Sequence, residues 1–132
     1  MTVWVGLGSA LGGSARWLLG LALPDTATGW PLATLLVNVI GSWLIGLIAA
    51  LAAPDGRLLL PPALRQFAMA GFCGGFTTFS LFGLENVEAL HRHGIAAVPW
   101  LLASVLLWLL AAWLGHALGR RLNQAHATGR PR

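Results

Sequence analysis

Four runs of predominantly apolar residues, at about 3–23, 31–53, 62–90 and 99–118, take up most of this 132-residue chain. A helix needs about 20 such residues to cross the hydrocarbon core of a bilayer. Only 9% of the residues are charged, against about a quarter in an average soluble domain. The sequence therefore predicts an all-α integral membrane protein: a single domain of four transmembrane helices followed by a basic C-terminal tail over 119–132. The punctuation agrees, with Pro24-Asp25 after the first run, Pro54-Asp55-Gly56-Arg57 after the second and Pro61-Pro62 before the third. Such residues mark helix ends. His91-Arg92-His93-Gly94 reads as a polar, solvated loop before the fourth run, and Arg120 and Arg121 mark its exit. Trp4, Trp30, Trp100 and Trp113 fall near span ends, where indole rings favour the headgroup level, whereas mid-span Trp43 reads as a helix contact.

The eight basic residues are all Arg, and the +4 balance comes largely from Arg120, Arg121, Arg130 and Arg132. No aromatic-interleaved basic face accompanies them, so the tail suits the cytoplasm or anionic headgroups and argues against a nucleic-acid partner. Arg57 and the tail outweigh Arg92 in the opposite short loop, which by the positive-inside rule favours cytoplasmic termini. The residues Met1-Thr2-Val3-Trp4 lack the positive n-region of a signal peptide, so the first run is expected to be a retained helix. Cys73 is the single cysteine, with no second Cys and no His at metal-ligand spacing, and reads as a packing residue. The chain has no G-x-S-x-G elbow, no H-E-x-x-H pair and no Walker loop, and an enzyme is not expected.

Small residues recur at four-residue spacing in every span: Gly8 and Gly12, Ser42 and Gly46, Gly71 and Gly75, Gly115 and Gly119. They predict close helix packing and nothing more specific.

The informative residues are the polar ones that a lipid-facing helix rejects. The densest set is Gly71-Phe72-Cys73-Gly74-Gly75-Phe76-Thr77-Thr78-Phe79-Ser80, in the middle of the third span. Adjacent glycines followed by β-branched threonines make poor helix and predict a break. A break at membrane depth frees backbone groups that protein or a hydrated cavity must satisfy. The freed carbonyls of Gly74 and Thr77 would either hold a hard cation such as Na⁺ or bond a neighbouring helix. Phe79 and Phe82, three apart, point the same way; their rings either pack in a core or turn positive edges toward a small anion. Thr34, Asn38 and Ser42 form a stripe at i, i+4 and i+8, in which the Asn38 amide either donates to a dehydrated anion or clamps another helix.

Arg16 lies about 20 Å of helical rise beyond Val3, nearer the far interface than the midplane. It suits a vestibule, a tie to the broken helix or an interfacial anchor. Glu85, one turn beyond Phe82, is open to three roles: pairing with Arg16, lining a vestibule in protonated form, or coupling to protons. Ser104 in the fourth span is expected to bond back to its own helix.

Three elements together resemble the small fluoride channels of the Fluc or CrcB family over nearly the whole chain: Gly12-Gly13-Ser14-Ala15-Arg16-Trp17, Val37-Asn38-Val39-Ile40-Gly41, and the run from Gly71 to Ser80. The resemblance implies an antiparallel, dual-topology dimer with two narrow fluoride pathways in the bacterial or archaeal plasma membrane. It also implies a central structural Na⁺ held by the backbone carbonyls of Gly74 and Thr77. Asn38, Phe79 and Phe82 would then line the fluoride pathway, and Arg16 would be structurally or electrostatically important near a vestibule; Thr78 and Ser80 are read as further pathway residues and Glu85 as a vestibule or structural one. The chain departs from many relatives at Leu81, where they carry a hydroxyl, and at Gly83, so Ser80 has to supply more of the hydroxyl lining. The charge bias toward cytoplasmic termini leaves room for an opposite-topology paralogue as partner in place of a homodimer. The rival reading, a small proton-coupled multidrug exporter of the four-helix dual-topology type, calls for an acid central in the first span, where this chain has Arg16.

Overall fold

A computed structural model of the chain describes residues 2–23 and 29–128, and every regular element in them is helical. Helix α1 covers Thr2–Ala22 and α2 Leu32–Leu51. The third segment is assembled from pieces: α3 over Pro62–Gln66, a π-helical stretch over Phe67–Cys73, α4 over Gly74–Phe76, an interruption at 77–79, then α5 over Ser80–His93. A 3₁₀ turn over Gly94–Ala96 leads into α6, Ala97–Thr128. The most apolar 18-residue windows of Leu32–Leu51 and of the stretch Pro62–Ala125 reach mean hydropathies of 2.1 and 2.2, enough to cross a membrane. In α1, Gly, Ser and Arg16 dilute the apolar character.

Two of the expected boundaries move. His91, Arg92 and His93 form the last turn of α5, and the chain turns only at Gly94, whose φ of 60° a residue with a Cβ adopts at a penalty. His93 stacks on Trp30 at a ring-centroid distance of 4.7 Å, and Trp30 in turn contacts Trp100 at 5.0 Å, so aromatic packing organises this corner. Part of the expected basic tail is helix, since α6 continues through Arg120 and Arg121 to Thr128. At about 48 Å, this helix is longer than a bilayer core is thick. Its extension is tied down by Asn123, which donates to the Ala50 carbonyl at 2.9 Å and accepts from the Arg57 N–H at 3.0 Å. One amide thereby caps the end of α2 and fixes the loop that follows. Asp25, Arg130 and Arg132 lie outside the described residues.

Two seams hold the helices together, each between elements that run in the same direction. Along one, Gly8 and Gly12 of α1 meet Gly71, Phe72 and Phe76 of the third segment; a Cβ added at Gly71 would stand 2.9 Å from the Gly8 Cα. Along the other, a Cβ on Gly46 of α2 would run into the Ala112 carbonyl of α6, and one on Gly115 into the Trp43 carbonyl. In lipid there is no hydrophobic drive between helices, so this close backbone approach, with the dispersion contacts it allows, is what holds them.

Candidate ion site at the broken helix

The helix breaks where the expected run lies, but its glycines are not the cause. Gly74 and Gly75 are helical, and Gly75 is seated against the backbone of Ser9 in α1. The break begins at Thr77, which caps α4 in an extended conformation (φ −78°, ψ 159°). Its N–H and its hydroxyl both donate to the Cys73 carbonyl, at 3.0 and 2.9 Å, closing the helix end.

Thr78 then leaves the helical ladder and is caught by α2. Its N–H donates to Asn38 Oδ1 and its carbonyl accepts from Asn38 Nδ2, both at 2.8 Å. Both residues are nearly sealed from solvent, at 3% and 8% exposure. An uncompensated backbone group at this depth costs about 1–3 kcal/mol, so a side chain that answers both groups of one peptide stabilises the interruption directly. The Thr78 hydroxyl accepts the Leu81 N–H at 3.2 Å, lies 3.5 Å from the Ser80 hydroxyl, and so opens α5.

These substitutions have a consequence for the carbonyls. In an unbroken helix the Gly74 carbonyl would take the Thr78 N–H and the Thr77 carbonyl the Leu81 N–H; here those donors go to Asn38 and to the Thr78 hydroxyl. Gly74 and Thr77 both border a cavity of about 250 Å³ between α2, the third segment and α6, together with Asn38, Ser42 and Trp108. Backbone oxygens released from helical bonding are the hard ligands that an alkali cation needs, and the donor set fits Na⁺ chemically.

The polar stripe on α2 continues in the other direction. One turn before Asn38, Thr34 donates to Glu85 Oε1 at 2.9 Å. Both residues line a second cavity, of about 430 Å³, which Arg16 also borders. Arg16 and Glu85 thus border the same space, while Asn38 and Thr78 border the cavity at the break.

The two phenylalanines separate in environment. Phe82 is buried (5% exposed), edge-on to Trp108 at 4.5 Å, whereas Phe79 is 75% exposed, with its ring 5.9 Å from that of Phe82. Ser104 donates to the Trp100 carbonyl at 2.8 Å within its own helix, and Cys73 is packed at 1% exposure beside the break. Sequence reasoning did not single out Trp108, Asn86 or Asn123. Asn86, buried, donates to the Phe82 carbonyl at 2.7 Å. A signal for it was present, since Asn86 follows Phe82 by four residues on the helix.

Parallel packing seams, long apolar helices and a helix interrupted beside a cavity describe a small all-helical protein that fits a membrane and is built around a discontinuous helix. The family model described as CrcB-like protein, Camphor Resistance (CrcB), matches residues 3–116, and the chain belongs to that family. "Fluoride-specific ion channel FluC 1" of Bradyrhizobium diazoefficiens is 49% identical over 122 residues, covering 92% of this chain and 85% of the relative. A protein of the same name from Rhodopseudomonas palustris is 49% identical over 126 residues, covering 94% and 89%. "Fluoride-specific ion channel FluC 3" of Brucella abortus is 41% identical over 122 residues, covering 91% and 89%. The multidrug-exporter alternative has no support in these similarities.

Proposed function

We propose that this chain is the subunit of a fluoride-selective channel that lets fluoride leave the cell passively and so relieves its toxicity. The observation that carries the reading is the two-way bond between Asn38 and Thr78, set in a chain whose relatives bear the name of fluoride-specific channels. Fluoride is small and strongly hydrated, so a protein that passes it must replace its water shell with donors. The amide of Asn38 has two N–H groups; Thr78 occupies one and the other is available to an ion at the cavity. The exposed ring of Phe79 and the buried ring of Phe82 supply positive ring edges in an apolar passage. Thr78 and Ser80 add hydroxyls, and Arg16 raises the local anion concentration in the vestibule it shares with Glu85.

The active form is an antiparallel pair of four-span subunits in the plasma membrane, either two copies of this chain or one copy and an opposite-topology paralogue. Numbered names such as FluC 1 and FluC 3 among the relatives are consistent with paralogues. The freed carbonyls of Gly74 and Thr77 would hold a structural Na⁺, and a bound cation supplies fixed positive charge that stabilises the break. One chain offers two such carbonyls, fewer than an alkali cation takes up, which is why a second subunit belongs at the site.

The test is fluoride efflux from proteoliposomes loaded with fluoride and chloride. Fast fluoride release with chloride retained supports the channel, and loss of release in Phe79→Ile, and in Asn38→Ala preparations shown to be folded, supports a pathway at those side chains. Correctly reconstituted protein that releases no fluoride, alone or with a paralogue, overturns the reading.

A further inference from the structure

The two packing seams leave a gap between them. The third segment is held against α1 through Gly8, Gly12 and Gly71, whereas α2 is held against α6 through Gly46 and Gly115. The loop after α2 goes with the second seam. Its Leu58 N–H donates to the Leu51 carbonyl at 2.9 Å, and its Arg57 N–H to Asn123 of α6 at 3.0 Å. Between this loop, the C-terminal half of α2 and the start of the third segment lies a groove of about 720 Å³. That is the size of a small-molecule site.

The lining is apolar apart from Arg65 and Gln66, which border the groove together from the end of α3. Ile45, Met69 and Ala70 line its deeper part, and Ile45 also borders the cavity at the break. Arg65 precedes Thr77 by about 15–18 Å of helical rise. With the break at the bilayer midplane, the guanidinium then stands at the level of the headgroups and the deeper lining at the level of the acyl chains. Arg65 is exposed, no lining residue is acidic, and Arg65 has no ion pair among the described residues. A guanidinium above an apolar trough matches a phosphate above a hydrocarbon chain. The planar fork of Arg bonds a phosphate through two N–H groups, and basic pockets between spans are where anionic headgroups settle.

We propose that this groove holds one anionic phospholipid, its phosphate on Arg65 and an acyl chain laid along Ile45, Met69 and Ala70. The lipid bridges the two seams, joining the loop after α2 to the start of the third segment. The inference needs the chain to sit in a membrane but does not need it to pass fluoride, so it stands apart from the channel reading.

The test uses the full chain in detergent micelles and phosphatidylglycerol carrying a photoactivatable diazirine midway along one acyl chain, with the adducts mapped by mass spectrometry. Adducts are expected at Ile45, Met69 or Ala70. Unlabelled phosphatidylglycerol should compete for them at a concentration about tenfold lower than phosphatidylcholine does, as for one lost bond to a charged partner. Arg65→Gln removes that preference and Arg65→Lys keeps part of it, whereas Arg121→Gln, on the exposed end of α6, changes neither. Ala70→Phe fills the trough and abolishes the adducts with Arg65 still in place. The competition in wild type carries the test even where a variant does not fold. Equal competition by the two lipids overturns the proposal, since the groove is then only a greasy surface, and so does an anionic preference that survives in folded Arg65→Gln. Labelling of the monomeric fraction alone, absent from the assembled one, also overturns it, because a second copy of the chain then covers the groove.

Discussion

Asn38 on α2 and Thr78 at the broken helix are bonded in both directions, N–H to Oδ1 and Nδ2 to carbonyl, each at 2.8 Å. One side chain thus does for a single peptide what the next turn of helix would have done. Asn38→Ala is expected to leave two buried backbone groups unanswered, lowering stability by about 2–5 kcal/mol. Thermal unfolding in detergent measures this.

Phe79 and Phe82 should part company on mutation. Phe79 is exposed in the subunit and Phe82 is buried against Trp108. Phe82→Ala is expected to destabilise by about 3–5 kcal/mol. Phe79→Ile leaves the melting temperature of the subunit nearly unchanged while slowing fluoride efflux, so comparing melting with flux for the two variants separates packing from transport.

The small-residue seams can be probed with two glycines on the same helix. A Cβ at Gly6 meets nothing within 4 Å, whereas one at Gly8 runs into the backbone of Phe67 and Gly71. Gly6→Ala is expected to be neutral or to stabilise α1 by up to about 1 kcal/mol. Gly8→Ala forces α1 away from the third segment and costs about 1–3 kcal/mol. Denaturation in mild detergent ranks the two.

Asn123→Ala removes the cap on α2 and the anchor of the Arg57 backbone. The loop should then open more often, and trypsin should cut after Arg57 several-fold faster. Stability falls by about 1 kcal/mol, as for other lost caps.

If Na⁺ is held by the Gly74 and Thr77 carbonyls, its removal can be read without any transport assay. Replacing sodium chloride with choline chloride at equal ionic strength should lower the melting temperature, and returning sodium should restore it in a saturable way.

Much of this molecule was legible because lipid enforces strict rules. The pairs Gly8/Gly12, Gly71/Gly75 and Gly115/Gly119 marked both seams, since only small residues permit such approach. The stripe of Thr34 and Asn38 marked the face that meets the break, because an amide in hydrocarbon must find partners. What periodicity did not reveal was the cause of the break. The glycines that make poor helix in isolation are helical here, Gly75 seated against Ser9 of α1, and the interruption falls on threonines, where Asn38 offers the backbone an alternative. That competition is tertiary and leaves no local trace. The extension of α6 was read as tail because arginines usually mark an exit, while its anchor, Asn123, lies more than 60 residues from either of its partners in sequence.

The length of α6 bears on direction. A helix of 32 residues outruns a bilayer core of about 30 Å, and its charged residues, Arg120 and Arg121, lie in its C-terminal part. A lone subunit therefore has a front and a back. Two copies placed head to tail would each raise a basic mast on the opposite side, and the assembly would look the same from the cytoplasm as from outside. Such a pore would have no built-in rectification, and the electrochemical gradient of fluoride, membrane voltage included, would decide which way the ions go.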